Sequence, residues 1–547
     1  MPERIDEIIE RWRRVSGDKS RWHPHYDDLA RVLLPRRLGF ASTTIEGERR
    51  TDDIYDGTPM QSARALANAI GGMLRPGGLP DVEMQADDDA INQSEEALTW
   101  FADSERRLAA AFNNPKARFR QSSGEIDADL VVFGTAALFV GATQSRLKFR
   151  AVALKDATPQ FDEDGAPDGM YLKRSMPARH LRDRFGEDRL SERTREILKR
   201  TPEQKIDVLH AVLPRADGRA DALFSRNLPY SDMWIEIEAK HELSQAGYHE
   251  LPFIVPRWDT SSGEDMGRSP GMIALPDSDT LQAMGETILI AGQRAADPPL
   301  AVPNDGVFDA ANTFPGGLTY YDVETATAMR GNPFFPIESG MSLPISRDMQ
   351  ADIREQVRAA FFRNVLNLPI DGPQMTATEI IERKEEFIRE LGSVFGRLET
   401  DYTAPMVERA FMLMLRAGGF LPIPQVLSEQ NIRFEYESPV KRIRQQIEAA
   451  AARMWAMELF EMGQIRPEAI DLVNVDALGR FSADALGIPK QIVNSAETVE
   501  GIRAARQEAM QAQQDQMAVA QAAQVADTVA GAAQKAGAAG GLAEEMM

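Results

Sequence analysis

His23 and His25 lie two residues apart, with Asp27 and Asp28 close behind, and these are residue types that hold metals. A metal site needs three or four ligands, and the remaining histidines, His180, His210, His241 and His249, lie far away in sequence. The expectation is ordinary surface histidines and no metal. His241-Glu242 opens like the HExxH of zinc peptidases, but the place of the second histidine is taken by Gln245, so the two imidazoles one helical turn apart are missing. Gly71-Gly72-Met73-Leu74-Arg75-Pro76-Gly77-Gly78 is rich in glycine but has no lysine to reach a phosphate, and no GxxxxGK[ST] cradle occurs. No GxSxG elbow offers a serine nucleophile. Asp162-Glu163-Asp164-Gly165 lacks the ligand spacing of a calcium loop and reads as an acidic turn. The chain has no cysteine, which removes disulfides, thiolate metal sites and cysteine nucleophiles. The expectation is therefore a protein that is not an enzyme, with no catalytic residues, cofactor or metal.

The elements are those of a large assembly protein. At 547 residues the chain is long enough for about three or four packed units at roughly 150 residues each. Apolar residues make up 43% and charged residues 27%, close to the globular average, so most of the chain should fold. No run reaches the length of a membrane span, and the charged, amphipathic start is unlike a signal peptide. We therefore expect a soluble chain made in the cytosol, with no membrane partner. A net charge of −22 argues against gripping nucleic acid over the whole surface and suits a wall along which a polyanion slides.

Helical spacing of Ile5, Ile8, Ile9 and Trp12, and of Tyr26, Leu29, Leu33 and Leu34, predicts two helices over 3–34. Thr58 is expected to cap a third, with Pro59 in its first position; others follow at 93–113 and 121–134. Between Thr135 and Pro256 short β-rich runs dominate (136–140, 148–152, 170–174, 207–213 and 234–239), with a helix at 176–185. The fold class is α+β, predominantly helical. The stretch 257–275 reads as an extended crossing. Long helices at 277–296 and 346–368, the latter with Met349, Ile353, Val357, Phe361 and Val365 four apart, bracket a Pro-rich insert with strand-like pieces around 318–323. After the breaker Leu368-Pro369-Ile370-Asp371-Gly372-Pro373 comes the longest helix, 376–416, with Ile380, Phe387, Leu391, Val394, Leu398 and Tyr402 on one face and a kink expected at Pro405. Three or four helices fill 438–533, the last capped by Ser495, and the Gly/Ala-rich end, Ala536–Met547, should fray.

The order of these segments resembles that of the head-to-tail connector, or portal, proteins of short-tailed bacteriophages. The resemblance is carried by Tyr55-Asp56-Gly57-Thr58, Leu74-Arg75-Pro76, Phe133-Gly134-Thr135-Ala136, Pro256-Arg257-Trp258, Gly267-Arg268-Ser269-Pro270-Gly271, Asp297-Pro298-Pro299-Leu300, Ala359-Ala360-Phe361-Phe362 and Thr376-Ala377-Thr378-Glu379. Met266, where an aromatic residue is more usual, and Arg75-Pro76-Gly77-Gly78-Leu79 depart from the pattern.

The resemblance implies a dodecameric ring at one capsid vertex, forming a channel through which the genome is packaged and ejected. It implies a wing (1–275), first stem helix (276–297), clip (298–345), second stem helix (346–368), channel loop (369–375), long wing helix and return (376–437), and a crown with an Ala/Gln-rich barrel helix (438–547). The channel loop would comprise Pro369, Ile370, Asp371, Gly372, Pro373, Gln374 and Met375. Pro298, Pro299, Pro315, Tyr320 and Tyr321 of the clip would dock the terminase large subunit and then the tail adaptor or nozzle proteins. Major capsid and scaffolding proteins and passing double-stranded DNA complete the expected partners. Arg294, Arg354, Arg358 and Arg363 would face DNA or a neighbouring subunit, with Asp352 or Glu355 as nearby acidic partners. The rival readings are a head or tail adaptor without a DNA channel and a packaging motor or nuclease; the missing phosphate cradle speaks against the motor.

Overall fold

The computed structural model describes residues 2–296, 300–301, 335–336, 343–363, 389–427, 432–436 and 439–517, apart from positions 43, 44, 46, 81, 93, 144, 145, 223, 487, 489–491, 495–497 and 515. The chain divides into two units, Met1–Lys441 and Arg442–Met547.

The first unit is built on an antiparallel five-stranded sheet in the order β4-β5-β6-β7-β8. Its strands are Ala157–Phe161, Pro167–Pro177, Lys205–Pro214, Tyr230–Glu236 and His241–Tyr248. Alternation along β6 sends Leu209, Ala211 and Leu213 to one face, where they meet Ile5, Ile8 and Ile9 of helix α1 (Pro2–Ser20). Val208, on the other face, packs with Leu181 of α7 (Ala178–Phe185), Leu190 and Trp234, and helix α8 (Glu192–Arg200) follows. Val212, also on that side, joins Ala137, Val152 and Phe253 of a three-stranded sheet, β3-β2-β9. Those strands span Arg146–Val152, Ala137–Thr143 and Phe253–Ile254.

Helices α2 (His23–Leu33), α3 (Thr58–Leu74), α5 (Glu95–Asn113) and α6 (Phe119–Phe133) form the helical part, with a short α4 at Asp89–Asn92. Ser94 Oγ accepts from Ala97 N–H and caps α5. Helix α6 stops at Gly134, whose φ of +76° supplies the left-handed cap. Helix α3 departs from expectation, since its cap position is Gly57 and the side chain that accepts from the Thr58 N–H, at 2.8 Å, is Asp56. Strand β1 (Val82–Ala86) pairs with Ile432–Tyr436 far down the chain.

The segment 257–275 is not wholly extended: helix α9 runs from Pro270 to Ala296 with Pro276 inside it. Ser269 explains the early start, because its hydroxyl accepts from the Met272 N–H at 3.1 Å just ahead of a proline at the first helical position. Leu300–Ala301 pairs antiparallel with Phe335–Pro336, and α10 follows at Leu343–Ala360. That helix starts before 346 and gives way to a turn in which Phe362 has a φ of +55° and donates to Ala359 O. Of the described members of the expected apolar set, Val357 and Phe361 are fully buried and Met349 is 55% exposed, and Val365 lies outside the described residues. A strict spacing of four drifts by about 40° per step around a helix, so such a row cannot stay on one face.

Residues 389–398 are helical and continue through a π turn, Glu399–Thr403, into α11, Ala404–Arg416. Its core stripe is Leu391, Phe395, Leu398 and Tyr402; Phe395, not Val394, takes the inner position. The π turn sits where the kink was expected, because Pro405 has no N–H and its ring would crowd the carbonyl four residues back. The second unit holds most of helix α12 (Pro439–Ile465), α13 (Val475–Ala485) and a helix over 498–514 that is exposed from 501 onward. Ser495, residues 318–323, 364–368 and 376–388, and Ala536–Met547 lie outside the described residues.

Candidate functional site

Segments far apart in sequence converge on α9 and α10. Gln282 of α9, buried, accepts from the backbone N–H groups of Tyr55 (2.8 Å) and Asp56 (2.9 Å) and returns its amide N–H to Asp56 O at 2.7 Å. Gly285, one turn on, makes room, since a Cβ there would stand 2.9 Å from Tyr55 Cβ. The Asp56 carboxylate then accepts from Arg354 Nε of α10 at 2.8 Å. One loop residue thus latches both long helices. Burial pushes the Asp56 carboxyl up, but the hydrogen bonds from Thr58 and Arg354 prevail and hold it below its ordinary value. A second tie joins Arg31 of α2 to Asp279 at 2.8 Å.

The base of α9 is fixed by an approach only glycine permits. A Cβ on Gly134 would lie 2.4 Å from Gly267 O, and one on Gly267 would lie 2.2 Å from Gly134 O. Trp258 N–H donates to Gly134 O at 2.8 Å, Gly267 N–H to Thr135 Oγ1 at 2.7 Å, and Ser269 Oγ to Val132 O at 2.7 Å. Met266 is buried.

Buried ion pairs set the surrounding helices. Arg75, at the end of α3, pairs with Asp127 of α6 and lies over the Tyr402 ring at 5.5 Å. Burial outweighs the arginine and pushes the Asp127 carboxyl up to about 6. Arg37 binds Asp129 and Glu125 at 2.9 and 3.0 Å. Arg409 donates to Val140 O at 2.8 Å and to Glu250 at 3.0 Å.

Arg354 is committed to Asp56, and Arg358, not Arg354, takes Glu355. Arg294 is exposed near the end of α9. Arg363 follows α10 with its Nε buried and without an acceptor. The channel-loop residues Pro369 to Met375 and the clip residues Pro298, Pro299, Pro315, Tyr320 and Tyr321 lie outside the described residues. His23 and His25 are half-buried, not surface groups, and His210 is buried, stacked on Trp234 at 4.1 Å and bonded to Asp232 at 2.7 Å. Among the described residues no cluster of three or more acidic or histidine side chains could hold a metal, and no helix is long and apolar enough to cross a membrane. Asp162 folds the acidic turn, accepting from the N–H groups of Asp164 and Ala166 at 3.0 and 2.7 Å. Sequence reasoning missed Gln282, whose amide carries no motif signal and matters only through a loop 226 residues away.

Ion pairs and close backbone contacts thus seat a long helix pair on the body of the first unit. The chain belongs to the family of bacteriophage head-to-tail connecting proteins, whose family model matches residues 5–493. It is 27% identical over 515 residues to the probable portal protein of Bordetella phage BPP-1, covering 93% of this chain and 92% of that one. To the portal protein of Salmonella phage epsilon15 it is 26% identical over 531 residues, covering 95% and 94%. Solved structures of gene transfer agent particles are similar at lower levels: the native virion at 12% identity and a TM-score of 0.35, covering 78% of this chain and 95% of that one, and the neck of the empty particle at 12% and 0.35, covering 75% and 91%.

Proposed function

We propose that this connector is a portal subunit and acts as a passive ring at one capsid vertex, a dodecamer through whose bore double-stranded DNA is packaged and later ejected. The observation that carries the reading is the near full-length match to two phage portal proteins. The latch at Asp56 supports it, because a helix pair held at its base by the body suits a stem. In this reading 1–275 and 376–437 form the wing, 276–297 and 346–368 the stem, 298–345 the clip and 438–547 the crown. The clip receives the terminase large subunit and then the tail adaptor; the wing meets capsid and scaffolding proteins. The loop 369–375 lines the bore and resists backflow of DNA. The negative charge of the chain keeps DNA from adhering. Catalysis belongs to the motor that docks, not to this chain, and the ring forms in the host cytoplasm before entering the virion.

Exposed apolar side chains in the C-terminal unit favour assembly: Trp455, Met457 and Phe460 of α12 are 49%, 65% and 42% exposed, as on a surface awaiting a copy of itself. Negative-stain images of the purified chain test the proposal. Rings with a central hole are expected; monodisperse particles without a hole would leave the adaptor reading in its place.

A further inference from the structure

Arg37, Arg75 and Arg409 of the first unit are answered by carboxylates, those of Asp129, Asp127 and Glu250. A group around Arg150 is not. Arg150 of β3 and Arg174 of β5, with Lys155, Lys173 and Ser175, line a cleft of about 550 Å³. Arg184 stands beside them, 4.0 Å above the Trp234 ring that Arg174 approaches at 5.9 Å. Among the described residues Arg150, Arg174 and Arg184 make no ion pair and no hydrogen bond, and Arg150 Nε is buried without an acceptor. Among the described residues Asp156 is the one acid lining the cleft, and it answers Lys155, Lys19 and Lys173 as well as Arg174; Lys173 in turn pairs with Asp207 at 2.9 Å. Positive charge is left over. Burial, reinforced by repulsion from Arg174 and Arg184, lowers the Arg150 guanidinium to about 10.

A second cleft, of about 310 Å³, shares Ala153 and Lys155 with the first and is lined by Arg36, Arg37 and Arg50, with Asp129 answering Arg37. Arg50 Nε is buried there without an acceptor, while its other nitrogens donate to the carbonyls of Arg36, Leu38 and Ile45. In a chain of net charge −22, two adjoining basic clefts run against the general trend. Mutual repulsion of guanidinium groups is costly unless something anionic lies between them, and their planar forks match the oxygens of a phosphate.

We propose that the cleft between Arg150 and Arg174 binds a phosphate-class oxyanion, either free phosphate or a phosphate of a nucleic-acid backbone. Arg150 and Arg174 supply the donors, and Lys155 extends the site toward the second cleft.

The test uses the full chain, its Arg174→Gln and Arg150→Gln variants, and Arg179→Gln as a surface control. Thermal melts and titration calorimetry are run with sodium phosphate against sodium chloride at matched ionic strength, and with a short DNA duplex. Saturable stabilisation by phosphate is expected in the parent and the control, with affinity at least tenfold weaker in the two cleft variants. In low-salt buffer Arg174→Gln should melt at or above the parent, since repulsion is relieved. Equal phosphate responses in parent and cleft variants, or a lower melting point for Arg174→Gln at low salt, would overturn the assignment. Competition between duplex and phosphate identifies the backbone as the source; phosphate binding untouched by duplex identifies the free ion. Binding of poly-glutamate with no response to phosphate places an acidic polypeptide there and also overturns it.

Discussion

Asp56 and Asp127 are both buried carboxylates facing an arginine, yet their proton affinities move in opposite directions. Asp56 receives the Thr58 N–H and two nitrogens of Arg354, and these outweigh burial. Asp127 has one oxygen buried without a hydrogen bond, and burial prevails. The consequences for stability follow from linkage. A lowered carboxyl contributes stability that is full above its unfolded value, about 3.9, and is lost as pH falls through the lower folded value. The penalty of Arg354→Met in thermal melts should therefore persist from pH 7 to about 4 and shrink below it. For Asp127 the sign reverses, and its ionised form is increasingly relieved as pH falls through about 6. Removing one partner is a separate matter. Asp127→Ala leaves Arg75 buried and alone and should cost about 3–5 kcal/mol in urea unfolding, whereas Arg75→Met with Asp127→Leu should be near neutral.

Elements are seated here by what their ends can tolerate. Gly134 and Gly267 touch backbone to backbone, so Gly134→Ala forces both a clash and a strained φ. A loss of about 3 kcal/mol is expected, with protease cutting near 257–270 as the readout. Much of this level was legible in sequence: the cap at Gly134, the paired helices α1 and α2, and five of the strands carry local signals. Strand β1 was not, because Val82–Ala86 is an unremarkable pentapeptide whose partner lies 350 residues on. Strand β4 hid behind Pro159, and β8 has a single fully buried residue, Leu243, among mostly polar and small neighbours. The start of α9 was misplaced because Pro276 reads locally as a boundary, while the Ser269 cap is visible only as a hydrogen bond. The junction was half legible. Motifs marked Asp56 and Gly267, but nothing local marks Arg354 as the partner of Asp56 rather than of a helical neighbour.

At the scale of the whole molecule, assembly should depend on apolar side chains that the single chain leaves uncovered. Trp455→Glu combined with Met457→Glu on α12 is expected to shift light-scattering mass from ring to monomer at micromolar concentration. Circular dichroism should stay unchanged, because surface substitutions usually move stability by only about 0.5 kcal/mol. The Asp56 latch has one more consequence, and it concerns time. Its two halves are 298 residues apart, so at roughly 5–20 residues per second Asp56 leaves the ribosome about 15–60 s before Arg354. Within that interval the whole five-stranded sheet, 157–248, is synthesised, while the Asp56 carboxylate waits for its arginine. Helix α10 is the one that closes it, so a chain truncated before Arg354 keeps α9 and the Asp56 loop without that tie.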